Sequence, residues 1–193
     1  MKTLLPLFSA LVLLSGCMSM VNLNDPVPLE PGQVQLAISS TIHPEFIAPE
    51  AGVRVGIISD LDMGLKYMFP SGFATDAKYR LIDSKVDLTA DVMYSYFTDG
   101  KNYRMHGFYP SLLAGGDLIY GGVRGMFFVS RGTIDLFGSE ESLEADGYFG
   151  TGLFLGARVG KNTFRLLPEI NLLIRGHDGE VVMLPALSFS VVF

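Results

Sequence analysis

The sequence predicts an all-β chain: an up-and-down antiparallel transmembrane β-barrel of about ten strands, with eight as the alternative. Three observations predict it. From Gly32 to Phe193, apolar residues alternate at period two with polar, charged or glycine residues. The 193-residue chain is 49% hydrophobic and holds 22 glycines, yet no stretch of it is long and apolar enough for a membrane-spanning helix. Short and longer connections alternate along its whole length, as they do when hairpin turns at one end of a barrel face loops at the other.

The elements follow in order. Lys2 precedes an apolar run from Leu4 to Leu14, too short to cross a bilayer and suited to a secretory signal. The run ends in Leu14-Ser15-Gly16-Cys17, and Cys17 is the only cysteine. This tetrad resembles the bacterial lipobox. The resemblance implies that residues 1–16 are a lipoprotein signal peptide and that cleavage falls before Cys17. It also implies a diacylglyceryl group on the Cys17 thiol, acylation of the new amino group, and the lipoprotein-processing machinery as a partner. Met18 stands where enteric lipoproteins retained in the inner membrane carry aspartate. Residues 17–31 then read as a periplasmic tether, because Asn22, Asn24, Asp25, Pro26, Pro28 and Pro31 discourage regular structure. Residues 32–193 form the barrel.

Strands are predicted near 33–40, 52–59, 62–69, 76–82, 86–97, 105–115, 118–130, 147–160, 163–174 and 181–193. In the eighth, Phe149, Thr151, Leu153 and Leu155 face one way and Gly150, Gly152, Gly156 and Arg158 the other. In the ninth, Phe164, Leu166, Ile170 and Leu172 oppose Arg165, Glu169 and Asn171. Alternation alone does not separate a membrane barrel from a soluble calyx with its apolar face inward. Glycines on the charged face, strands of about 9–11 residues and the position of the last strand favour the membrane. Pro110, Pro168 and Pro185 fall inside strands and are expected at bulges. With no Trp, interfacial aromatic belts must rest on 8 Tyr and 14 Phe.

At the far end, Met183, Pro185, Leu187, Phe189, Val191 and Phe193 occupy alternate positions. This resembles the C-terminal β-signal of bacterial outer-membrane barrels. The resemblance gives Phe189 and Phe193 a role in recognition by the barrel-assembly machinery. It places the barrel in the outer membrane, with outer-membrane lipid around it and both termini, with the lipid anchor, on the periplasmic side.

The predicted lumen carries a polar network of Arg54, Lys66, Lys78, Arg80, Asp87, Asp91, Arg124, Arg158, Arg165 and Glu169, with Asp62 and Asp76 beside them. Charges in a narrow lumen must be paired, and a barrel this small is nearly filled by its own side chains, which excludes a general porin. His43, His106 and His177 map to the external rim near carboxylates, Glu45 and Glu50 lying there with His43. None has metal-ligand spacing, so no metal, cofactor or catalytic residue is expected. The acidic segment from Arg131 to Asp146 reads as a solvated external loop. A net charge of −6 without any basic run leaves nucleic acid no footprint. The reading is a monomeric, non-enzymatic membrane barrel with a structural or surface-interaction role. A tethered lipid-binding calyx and a rim-located lipid hydrolase or protease are the alternatives.

Overall fold

The computed structural model describes residues 25–42, 47–69, 71–98, 103–136, 139–143, 147–161, 163–176, 179 and 181–193. Cys17, His43 and His177 lie outside them. The strands are β1 (Val34–Ile42), β2 (Ile47–Ile58), β3 (Leu61–Met68), β4 (Gly72–Ile82), β5 (Asp87–Thr98), β6 (Arg104–Gly115), β7 (Ile119–Leu136), β8 (Ser139–Leu143), β9 (Gly147–Ala157), β10 (Val159–Gly160), β11 (Phe164–Arg175) and β12 (Val181–Val192). Each barrel strand pairs antiparallel with its neighbours, β7 with β9 and β9 with β11, and β1 closes the ring on β12. β9 and β10 are one stave interrupted at Arg158, and β8 extends β7 as a hairpin beyond the wall. The barrel therefore has ten staves. The eight-stranded alternative fails because Leu61–Met68 and Gly72–Ile82 are regular paired strands.

The faces are as the alternation predicts. Leu153, Leu155 and Ile170 point outward, with Leu155 62% exposed, while Arg54, Lys78, Asp91 and Arg124 are buried within. An apolar exterior around a charged interior is the reverse of a calyx. Strands of 12 residues extend about 40 Å and, tilted by about 45°, cover the hydrocarbon core of a bilayer. Outward aromatics gather at both rims: Tyr67, Phe69, Phe73 and Tyr94 toward the loop end, Tyr79, Phe164 and Phe193 toward the turn end. These are the belts that Trp would otherwise supply.

Proline explains two breaks in the wall. The β6–β7 ladder skips Tyr109 and Pro110, and Pro110 packs on Gly125 instead. Leu167 and Pro168 face the interruption at Arg158. None of the three bulges expected at prolines forms: the register is the same on both sides of Pro110 and Pro168, and Pro185 pairs with Ile170 where the β12–β1 ladder stops, leaving its missing N–H without consequence. The contrast in connection length is also smaller than predicted. β2 starts at Ile47 and β4 at Gly72, so the first two loops shrink to residues 43–46 and 69–71. Residues 131–136, read as loop, continue β7.

Candidate functional site: a charged lumen closed at both ends

The register arranges lumen charges in rows. Arg54 on β2, Gly64 on β3 and Asp76 on β4 are direct cross-strand partners. Arg54 forms ion pairs with both Asp62 and Asp76, and all three side chains are almost wholly buried. Gly64 makes this possible. A Cβ there would collide with the Asp76 carboxylate and the Arg54 guanidinium. Gly64→Ala is therefore expected to displace the pair and cost about 1–3 kcal/mol. Urea midpoints of the refolded variant measure that cost, and an unchanged midpoint would show that the pair reorganises freely.

A second row runs Asp62, Lys78, Asp91, Ser111 and Arg124 across β3 to β7, with adjacent members opposite one another in the ladders. Signs alternate along the charged members, and the hydroxyl of Ser111 accepts from Arg124 Nε at 3.1 Å. Arg124 also lies over the Phe154 ring at 5.2 Å. Higher up, Lys66 faces Glu50 at 3.7 Å, and Ser39 donates to Glu50 at 3.2 Å. Tyr120 donates to Glu169 at 3.3 Å. Alternating signs in direct opposition are what allow so many ions to share a narrow interior.

Arg54, Lys66, Lys78, Asp87, Asp91, Arg124 and Glu169 thus lie inside the barrel, together with Asp62 and Asp76. Arg80 does not join them. Paired with Thr89 just before the register shift toward Ile82, it lies at the turn-end rim, where it donates to Asp60 at 3.0 Å and to the Ser59 carbonyl at 2.6 Å. Glu50, assigned to an external loop because β2 was expected to start later, is buried in β2. His106 is on the outer wall rather than over a rim pocket. Its Nδ1 lies 2.7 Å from the Tyr94 hydroxyl, and its ring is 5.1 Å from that of Tyr96. Among the described residues no group of His, Cys, Asp and Glu could hold a metal ion.

The sequence reading missed the residue that closes the turn end. Asp25 was assigned to the tether, yet it is buried in the mouth and forms ion pairs with both Arg158 and Arg165. Lys78 donates to the Asp25 carbonyl at 2.7 Å, Thr89 donates to the Pro26 carbonyl, and the Leu29 N–H donates to Asp62 at 3.0 Å. Leu29 is itself buried, and Gly56 leaves room for the backbone of Leu29 and Glu30 to pass. Residues 25–29 form a plug rather than a free strand-to-membrane linker. The prolines keep it out of the sheet, so its polar groups are met by side chains. At the loop end an apolar cluster that includes Met68, Met93, Phe97, Tyr103, Met105 and Tyr109 fills the interior.

Asp25→Asn leaves two cations at the mouth without their carboxylate. It is expected to lower stability by about 1–2 kcal/mol, the smaller end for a buried pair because both arginines keep some contact with water. Limited proteolysis should then cut near residues 25–31 several-fold faster, while the barrel resists. Cleavage at the parent rate would show that the carboxylate does not hold the plug.

No family model matches the chain, and no curated protein matches it. Its structure is similar to the N-terminal β-barrel domain of Pseudomonas aeruginosa OprF, at 12% identity and a TM-score of 0.38, over 86% of this chain and 100% of that one. It is similar to Neisserial surface protein A at 15% identity and a TM-score of 0.37, over 83% and 93%. It is also similar to the Yersinia pestis outer membrane protein Ail in a phospholipid bilayer nanodisc, at 10% identity and a TM-score of 0.35, over 84% and 99%. What decides the class is the chain's own wall: closed, apolar outside, charged inside. The chain is a transmembrane β-barrel. Among the described residues, its polar interior holds paired and hydrogen-bonded side chains between the plug and the apolar cluster.

Proposed function

We propose that the barrel is a small lipoprotein of the bacterial outer membrane with a structural or surface-interaction role, non-enzymatic and closed to solutes. One observation carries this reading. The lumen is blocked at one end by residues 25–29 and at the other by buried Met, Phe and Tyr side chains, with paired charges between. The lipobox at Leu14–Cys17 supports the lipid anchor. The plug supports its placement, because Asp25 sits at the same end as Phe193 and the short turns, where a periplasmic N-terminus belongs. His106 is engaged by Tyr94 on the outer wall, which favours the non-enzymatic role.

The test uses Cys17→Ala, expressed with its own signal. Lipid labelling should vanish while the protein stays in carbonate-washed membranes with heat-modifiable migration, because the barrel inserts by its own wall. A variant that washes off as a folded soluble protein overturns the membrane reading. Retained labelling overturns the lipobox reading. Liposomes carrying the purified protein should be no more permeable to small sugars than empty ones, and swelling at a porin-like rate overturns the closed lumen.

A further inference from the structure

Arg104 and Arg131 pair directly across β6 and β7, and both point outward. Like charges opposite one another in a ladder repel. No carboxylate whose side chain is described forms an ion pair with either. The arginines sit on the last rung of the wall, where β7 leaves the barrel for its hairpin. On the same outward face the next pair down is His106 and Val129, and the one after it is Phe108 and Phe127, whose ring centroids are 6.4 Å apart. The Tyr94 hydroxyl meets His106 at Nδ1. Two planar forks of N–H donors therefore stand at the upper edge of a lipid-facing aromatic band.

We infer that Arg104 and Arg131 together bind the phosphate of an anionic lipid headgroup in the leaflet at the loop end of the barrel. A phosphate accepts bidentate bonds from guanidinium and removes the repulsion between the pair. The acyl chains of the same molecule would run down over Phe108, Phe127 and Val129, which are exposed and apolar. That continuity between cation and apolar band selects a lipid over a soluble phosphate. The inference rests on the membrane reading above, and it adds a site of defined chemistry on the outer wall.

Native mass spectrometry of the full-length protein released from detergent, titrated with phosphatidylglycerol, tests it. The parent should retain the lipid at about one tenth of the concentration that R104Q/R131Q needs, or less. Phosphatidylcholine should be retained equally by both. K85Q/K161Q, which removes two exposed cations at the opposite end, should behave as the parent. Equal retention of phosphatidylglycerol by R104Q/R131Q and the parent overturns the site. So does an equal loss in K85Q/K161Q, which would mean that charge alone is at work. Inorganic phosphate at millimolar concentration displacing the lipid completely would identify a soluble anion as the occupant and overturn the lipid assignment. Vesicle insertion and heat-modifiable migration are measured on the same samples. A protein that fails to insert defeats the membrane reading, whereas an inserted variant with unchanged lipid retention defeats this inference only.

Discussion

Replacing Arg54 with Met is expected to destabilise the barrel by about 3–5 kcal/mol, the usual consequence of removing one partner from a buried ion pair. The magnitude follows from what is left behind. Asp62 and Asp76 are both buried and both paired to this one guanidinium. Water does not reach them from the turn end, because the Leu29 N–H and the plug cover Asp62. With no Trp in the chain, unfolding is best followed by circular dichroism and by the loss of heat-modifiable migration in urea. The triple variant R54M/D62N/D76N should recover most of the loss, since it removes the stranded charges along with their partner. If R54M unfolds at the parent's urea concentration, the Arg54 cluster is not what holds β2, β3 and β4 together. If the triple variant is as unstable as R54M, lost packing rather than stranded charge explains the effect.

The second large effect lies on the other face. Ile170 is central in β11, between Leu155 on β9 and Pro185 on β12, and it is 49% exposed. On a soluble protein Ile170→Arg would add a cation to a wet surface at little cost. On the lipid face near the bilayer midplane the same change should cost about 2–4 kcal/mol. Folding yield into lipid vesicles, set against yield in a short-chain detergent that tolerates surface charge, separates the two cases. A variant that folds into vesicles as well as the parent would show that this face does not meet hydrocarbon.

The wall was legible because its code is local. A period of two is written in neighbouring residues, so Leu153 against Gly152 or Ile170 against Glu169 names the two faces without any knowledge of the fold. Charge pairing was less legible, because it depends on register. Arg54, Gly64 and Asp76 become neighbours only once two successive turns have set the stagger. Glu50 was missed because Pro49 and Glu50 read as loop. Pairing of Ser40 with Pro49 and of Ser39 with Glu50 draws them into β2. Asp25 left no signal at all. A run of prolines and asparagines reads as linker, and only the assembled mouth, with Arg158 between β9 and β10 and Arg165 on β11 converging on Asp25, makes that run a plug.

The ring closes between β1 and β12, the first and last strands of the chain. The plug precedes β1, yet it touches β3, β4, β5, the stave interrupted at Arg158, and β11. Asp25 and Arg165 are 140 residues apart. The ion pairs of Asp25 therefore need nearly the last part of the described chain, whereas the plug's bonds to β3, β4 and β5 do not. The seal at the turn end is complete only when β11 has brought Arg165 to Asp25, so one end of the barrel is closed by residues from both ends of the described chain.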